Sequence, residues 1–339
     1  PLRIADINND SLNELLFSPN GNSVRPTIFS NDFTPQYTTT ENVDVYGGTL
    51  AVANTALNNG TEIIATACGS LSVFDRTFTR IYNYQPGGGS CESRSFERWG
   101  PVAADIIEGG SHLEMLLPST SSDRLHLLNT THIIYQSENL SLQNLSSPVV
   151  AEFNSTYDGR EIAIFNGNTL YALNSTLHTI WNYNFTGYTA YEPGSLAIGD
   201  VTGDGIPEII TTYSVPYQVG DRYPRKLTIF DNHGTKLITD LDTESNSVIT
   251  LSELTSTNPG LEILMLSQSN NLQIINSTGN ILYQGDGFFY VTDDIDNDGL
   301  IEIISTTRYG LIMYKTISTA TTKVWPTFHA NNENTGYLG

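Results

Sequence analysis

Lysine is almost missing from this sequence, with four in 339 residues, and Lys and Arg together number 15 against 36 Asp and Glu. The formal net charge is −21 at pH 7. Counterion release from a polyphosphate needs clustered Lys and Arg, so the composition excludes nucleic acid as a partner. Long apolar runs are also missing. None approaches the roughly 20 residues that carry a helix across a bilayer, so the sequence encodes no membrane-spanning helix. No segment sustains a 3.6-residue period, which predicts a chain nearly without helix. The two cysteines, Cys68 and Cys91, form no Cys-x-x-Cys or Cys/His cluster, and this excludes a zinc knuckle or a dithiol redox centre. The first residues offer no Met, charged n-region or apolar h-region: either a targeting segment has been removed or the chain is a piece of something larger.

What is present is enough to fold. Hydrophobic residues make up 39% of the chain, with 13 Phe, 18 Tyr and 3 Trp, and that composition argues against disorder. Above all there is a repeat. Seven stretches place a short apolar strand before a polar loop that ends in Glu and a second apolar strand. The Glu residues are Glu14, Glu62, Glu114, Glu161, Glu208, Glu262 and Glu302, at a mean spacing of 48 residues. A third strand recurs, as Leu71-Ser72-Val73-Phe74 or Leu227-Thr228-Ile229-Phe230, then Asn or Asp turn residues and a fourth strand.

Four-stranded units of this length cannot bury both faces alone, and they pack radially. The prediction is one all-β domain over residues 1–339, a seven-bladed β-propeller of four-stranded antiparallel blades. Its repeats run over 1–46, 47–98, 99–145, 146–192, 193–245, 246–286 and 287–339. With the fourth strand of unit 7 inside the chain, the ring is expected to need no exchanged strand. The segment from Trp325 to Tyr337 is a candidate clasp.

Three of the polar loops carry a cation pattern. Asp294, Asp296 and Asp298 occupy positions 1, 3 and 5 of the unit 7 loop, with Gly299 at 6, Leu300 offering its carbonyl at 7 and Glu302 at 9. Unit 5 repeats this as Asp200, Thr202, Asp204, Gly205, Ile206 and Glu208. Unit 1 reads Asp6, Asn8, Asp10, Ser11, Leu12 and Glu14. Six to eight hard oxygens with no Cys or His select Ca²⁺ over zinc, and magnesium prefers a stricter octahedron that keeps its water. Two or three structural Ca²⁺ ions are therefore expected. The ten acids of these loops and three such ions would bring the net charge to about −15. Units 2, 3, 4 and 6 keep the Glu without the pattern, so metal alone does not explain it. Acceptance of loop N–H bonds is its expected role there.

On these residues the chain resembles the FG-GAP/VCBS-type repeat family, the calcium-loop propellers that include integrin α-subunit heads. It departs from that family in having Glu at position 9, where Asp is common, and in lacking clear Phe-Gly and Gly-Ala-Pro signatures. The resemblance implies an extracellular, calcium-stabilised propeller used in recognition or as a scaffold.

Compartment and ligand follow as expectations. In a meander Cys68 and Cys91 share one propeller face, so a disulfide between them is geometrically feasible and would suit an oxidising compartment. Sequons include Asn129, Asn139, Asn144, Asn174, Asn184 and Asn276, and Asn129, Asn174 and Asn276 recur at one hairpin turn where Asn is also favoured for its turn chemistry. Together these favour a secreted or cell-surface glycoprotein. The face opposite the cation loops collects long irregular segments with Tyr37, Tyr46, Arg94, Arg98, Trp99, Tyr188, Tyr217, Arg222 and Tyr223. Aromatic and Arg side chains on a rigid scaffold suit a glycan or protein ligand, and self-assembly is a further expectation. No Gly-x-Ser-x-Gly elbow or His pair is present among His112, His126, His132, His178, His233 and His329. The reading is a non-catalytic protein of adhesion, recognition or assembly. A secreted polysaccharide lyase or glycosidase, and a subunit of a surface filament or layer, stand as alternatives.

Overall fold

The computed structural model describes residues 2–18, 21–39, 43–45, 50–55, 61–67, 70–84, 102–109, 113–119, 123–129, 132–142, 145–185, 195–214, 225–243, 248–255, 258–267, 271–287, 290–293, 298, 300–307, 309–315 and 323–325. The chain is an all-β, seven-bladed propeller, as the repeat predicts, and no helix occurs among the described residues.

In blade 1, β1 (Leu2–Ala5) and β2 (Glu14–Phe17) form the inner hairpin. The chain then leaves as β3 (Gly21–Val24), returns as β4 (Thr27–Phe29) and β5 (Pro35–Thr38), and continues in β6 (Val43–Val45), which pairs with β3 as a separate ribbon. Blade 2 is β7 (Leu50–Ala53), β8 (Glu62–Ala67), β9 (Ser70–Phe74) and β10 (Arg80–Tyr84). Blade 3 is β11 (Val102–Ala104), β12 (Glu114–Ser119), β13 (Arg124–Leu128) and β14 (Ile133–Gln136). Blade 4 is β15 (Val149–Ala151), β16 (Glu161–Asn166), β17 (Thr169–Leu173) and β18 (Thr179–Asn184). Blade 5 is β19 (Leu196–Gly199), β20 (Glu208–Ser214), β21 (Arg225–Phe230) and β22 (Lys236–Thr243). Blade 6 is β23 (Thr250–Ser252), β24 (Glu262–Leu266), β25 (Asn271–Ile275) and β26 (Ile281–Asp286). Blade 7 has β27 (Tyr290–Asp293), β28 (Glu302–Thr307) and β29 (Gly310–Lys315). All pairings within blades are antiparallel between sequence neighbours, save that β2 pairs with β4.

Two details differ from the sequence expectation. The third and fourth strands of unit 1 are β4 and β5; the sequence reading assigned no strand to β4 and placed β5 in the irregular segment with Tyr37, because the β3–β6 ribbon interrupts the repeat there. The last described strand, β30 (Lys323–Trp325), is not an outer strand of blade 7. It pairs antiparallel with β23, the innermost strand of blade 6, in the register Leu251↔Trp325, and lies near β19. An innermost strand leaves one backbone edge without a partner inside its own blade, and β30 satisfies that edge.

Burial explains why the inner strands read as unbroken apolar runs. In blade 4, Val150, Ile162, Ile164 and Leu173 join the core shared with blades 2 and 3. Val149, Ala151, Ala163, Phe165 and Leu170 point the other way, into the core shared with blades 5 and 6. Strand alternation thus fills two interfaces at once, and both faces need apolar side chains. Smaller cores join blades 1 and 2 and blades 6 and 7. Outer strands such as β26 are mostly exposed.

The turn between the third and fourth strands is built the same way in most blades. Asp75, Asn174, Asp231 and Asn276 each accept two backbone N–H bonds at 2.7–3.1 Å from residues two and four positions on. The residue three positions on has positive φ: Phe78 60°, Leu177 64°, Gly234 80° and Gly279 82°. The ladder then shifts register by a bulge. In blade 1 Phe33 holds this position at φ 64° and is 72% exposed. A left-handed β-carbon costs about 1 kcal/mol, and Phe33 buries little to offset it. Phe33→Gly is therefore expected to stabilise the protein by about 1 kcal/mol, read as a higher denaturant midpoint with an unchanged slope.

Candidate metal centre

The loop from the first to the second strand is anchored by its Glu in every blade where the structure describes both partners. Glu14 Oε2 accepts the N–H of Ile7 at 2.8 Å and of Asn8 at 3.2 Å. Glu114 Oε2 takes Ile106 and Ile107 at 2.8 and 3.2 Å, and Glu161 Oε2 takes Phe153 and Asn154, both at 2.9 Å. Glu208 holds Val201 and Thr202, Glu262 holds Leu254 and Thr255, and Glu62 holds Thr55. Each carboxylate is buried, at most 5% exposed. It therefore replaces lost hydration by charge-assisted bonds to loop N–H groups. Burial pushes the carboxyls of Glu114 and Glu208 up against those bonds, and pushes Glu161 up to about 7.

These bonds align the loops. The residue before the anchored pair is position 1, and it is acidic beyond the three cation loops: Asp105 in blade 3, Glu152 in blade 4 and Glu253 in blade 6. Sequence reading missed these because the loops of blades 3, 4 and 6 carry one more residue before the Glu than the cation loops do, which offsets counting back from it. The signal that finds them is the apolar residue that follows, Ile7, Ile106, Phe153, Val201 or Leu254, which is buried each time.

The blade 5 loop brings its predicted donors together. Asp200, Asp204 and Glu208 each direct one carboxylate oxygen to within 4.8 Å of the others. Asp200 Oδ1 accepts the N–H of Gly203 at 2.6 Å and of Asp204 at 3.2 Å, and its Oδ2 accepts Gly205 at 2.9 Å. Asp204 Oδ1 accepts Ile206 at 2.8 Å, and Thr202 Oγ1 donates to Glu208 Oε1 at 3.0 Å. Gly203 and Gly205 sit at φ 79° and 87°, so the backbone curls round the three acids. None of the three carboxylates pairs with a Lys or Arg among the described residues. An all-oxygen set of this kind fits a hard divalent cation, and its size and flexibility fit Ca²⁺ best.

The other two cation loops differ from it in their partners. In blade 1 the backbone is the same, with Asn9 and Ser11 at φ 67° and 70° and Asp6 accepting Asp10 and Ser11 N–H at 3.0 and 2.8 Å. Here, however, Asn8 Nδ2 stands between the acids and donates to Asp10 Oδ2 at 3.0 Å and Glu14 Oε1 at 3.1 Å. Arg76 of blade 2 also donates to the Asn8 carbonyl at 3.2 Å. In blade 7, Asp294 and Asp296 lie outside the described residues. Asp298 Oδ1 accepts Leu300 N–H at 2.9 Å, its Oδ2 meets Lys315 Nζ at 2.8 Å, and Glu302 is buried. Leu12 and Ile206 at position 7 are 52% and 44% exposed, so the backbone rather than the side chain suits that position.

Of the expected recognition residues, Tyr37 lies on β5, 43% exposed and paired with Ile28, on an outer strand rather than in a loop. Tyr46, Arg94, Arg98, Trp99, Tyr188, Tyr217, Arg222 and Tyr223 lie outside the described residues, as do Cys68, Cys91 and Asn144. Tyr309, which the sequence did not single out, is 99% exposed at the β28–β29 turn, on the face opposite the cation loops. Asn174 and Asn276 use Oδ1 to close their turns, and Asn129 Oδ1 accepts His132 N–H at 2.9 Å. Asp75 and Asp231 do the same without being sequons, so turn geometry accounts for Asn at these places. Asn139 Oδ1 closes a local turn onto Ser141 N–H, and Asn184 ends β18 exposed. His126 is buried against Tyr84 OH at 2.9 Å, between blades 2 and 3, a packing role.

No family model and no curated protein matches the sequence. Solved structures match the fold. BBS1N, crystallised in complex with ARL6DN, aligns at TM-score 0.57 and 10% identity over 95% of this chain and 93% of that one. The rhamnogalacturonan lyase YesW aligns at 0.56 and 14% identity over 99% of this chain and 77% of that one. The V. cholerae biofilm matrix protein Bap1 aligns at 0.50 and 9% identity over 99% and 92%. At these identities the likeness is one of fold, the β-propeller, which carries unrelated functions.

Proposed function

We propose that this chain is a calcium-stabilised recognition propeller of the FG-GAP/VCBS type, acting outside the cell or on its surface on a glycan or protein ligand. The observation that supports the calcium reading is the convergence of Asp200, Asp204 and Glu208, with no Lys or Arg paired to them among the described residues. Calcium bound there would offset two of three like charges and tie the two ends of the loop together. Oxidising surroundings would suit a Cys68–Cys91 disulfide, and Tyr309, fully exposed on the face opposite the cation loops, is a candidate contact for the ligand. The blade 5 loop is the principal site in this reading, and the Asn8 amide and Lys315 weaken the loops of blades 1 and 7.

Binding to the folded form alone stabilises by about 2.7 kcal/mol at a hundredfold excess over Kd. Calcium at millimolar concentration is thus expected to raise Tm by several degrees over the chelator-treated protein, and Asp204→Asn to remove most of the rise. A Tm indifferent to calcium and chelator, in parent and variant alike, would overturn the calcium reading. Glycan arrays and cell-binding assays with the folded protein test the recognition surface.

A further inference from the structure

The loop of blade 6 is locked onto the cation loop of blade 5, although it brings no acid into the cluster. Leu261 N–H donates to the Asp200 carbonyl at 2.9 Å. Gly260, at φ 76°, lies so close that a β-carbon on it would stand 2.5 Å from Val201 O and 2.6 Å from Gly203 N. The contact is mutual, for a β-carbon on Gly203 would stand 2.7 Å from both Gly260 N and Pro259 Cβ. Two backbones therefore meet with no side chain between them. Gly203 N–H is itself one of the donors that orient the Asp200 carboxylate. The blade 6 loop is held rigid in turn by Glu262, which binds Leu254 and Thr255 N–H through Oε2 and Thr255 Oγ1 through Oε1 at 2.7 Å.

We propose that Pro259, Gly260 and Leu261 of blade 6 are positioning residues for the blade 5 cation loop. The affinity of Asp200, Asp204 and Glu208 is then set partly by a blade that supplies no ligand. This also gives Glu262 a role, since it rigidifies the segment that braces the neighbouring site. The affinity half rests on the calcium reading above, whereas the positioning half does not.

Amide hydrogen exchange of the chelator-treated protein tests the positioning half. Gly260→Ala is expected to speed exchange in residues 200–208 by about tenfold and to leave residues 6–14 of the blade 1 loop unchanged. Parent-like exchange in 200–208 would overturn the proposal. Pro259→Gly, which removes the ring behind Gly203 without adding an atom, is expected to act in the same direction. It decides the matter if alanine at 260 blocks folding. In calorimetric titration with CaCl₂, Gly260→Ala is expected to bind about tenfold more weakly than the parent. Equal affinities would overturn the affinity half. If neither the parent nor Asp204→Asn took up calcium, the calcium reading would fall and the affinity half with it. The exchange result would still decide the positioning half.

Discussion

Glu161→Gln is expected to remove about 3 kcal/mol of pH dependence from the stability of this protein between about pH 5 and pH 8. The Glu161 carboxyl is fully buried, its Oε2 holds two loop N–H groups and its Oε1 has no partner among the described residues. Burial, with a smaller contribution from the Glu152 charge, raises it from 4.5 to about 7. The folded state therefore binds more protons than the unfolded chain between those values. Stability from this group is fully present below pH 4.5 and is lost as pH rises through about 7. The parent should melt higher at pH 5 than at pH 8, and the amide variant should lose most of that difference. Glu161→Ala is a separate case: it removes the same pH dependence and also leaves two buried N–H groups without their acceptor, so its loss is expected to be about 3 kcal/mol at pH 8 and larger at pH 5. Denaturant midpoints at four pH values, in chelator, check both. An amide variant with the parent's slope would place the titration elsewhere.

The Glu repeat was the most legible feature of the sequence, and its reason is visible in that pair of bonds. Blade number and strand order follow from its spacing, and the convergence of Asp200, Asp204 and Glu208 follows from residue chemistry within nine positions. Features that depend on a second blade were not legible. Position 1 acids such as Asp105 were missed because the loops differ in length, although the buried apolar residue after each one marks the position. The β3–β6 ribbon hid β4 and β5, because an insertion breaks a period without leaving a mark in composition. The pairing of β30 with β23 has no local signal at all, since it joins residues more than 70 apart.

The loops also differ in how they balance charge, and this orders them. In blade 3, Asp105 stands where Asp200 stands in blade 5, and Arg160 of blade 4 meets both its carbonyl, at 2.5 Å, and its Oδ2, at 3.1 Å. In blade 7 Lys315 does this for Asp298, and in blade 1 the Asn8 amide bridges Asp10 and Glu14. Among the described residues, blade 5 alone brings three carboxylates within 4.8 Å of one another, and no described Lys or Arg pairs with any of them. A built-in cation and a bound one are alternative answers to the same repulsion, and the balance shifts with the residue that each neighbouring element supplies.

The same reliance on the neighbouring blade makes Gly159→Ala a disruptive small substitution, with an expected loss of about 3–4 kcal/mol. Gly159 has φ 80°, and a β-carbon there would overlap the Ile106 carbonyl oxygen and stand 2.8 Å from Ser175 Cβ. That carbonyl also accepts Arg160 N–H at 2.9 Å, so relief by backbone movement would break the bond between blades 3 and 4. Gly109 separates the two causes. Its φ is 82°, but no atom lies within 4 Å of an added β-carbon, so Gly109→Ala should lose only the conformational part, about 1 kcal/mol. Denaturant midpoints of the two variants should therefore differ well beyond error. Equal losses would mean that the two loops part without cost, and that the seam between blades 3 and 4 is not held by backbone contact at Gly159.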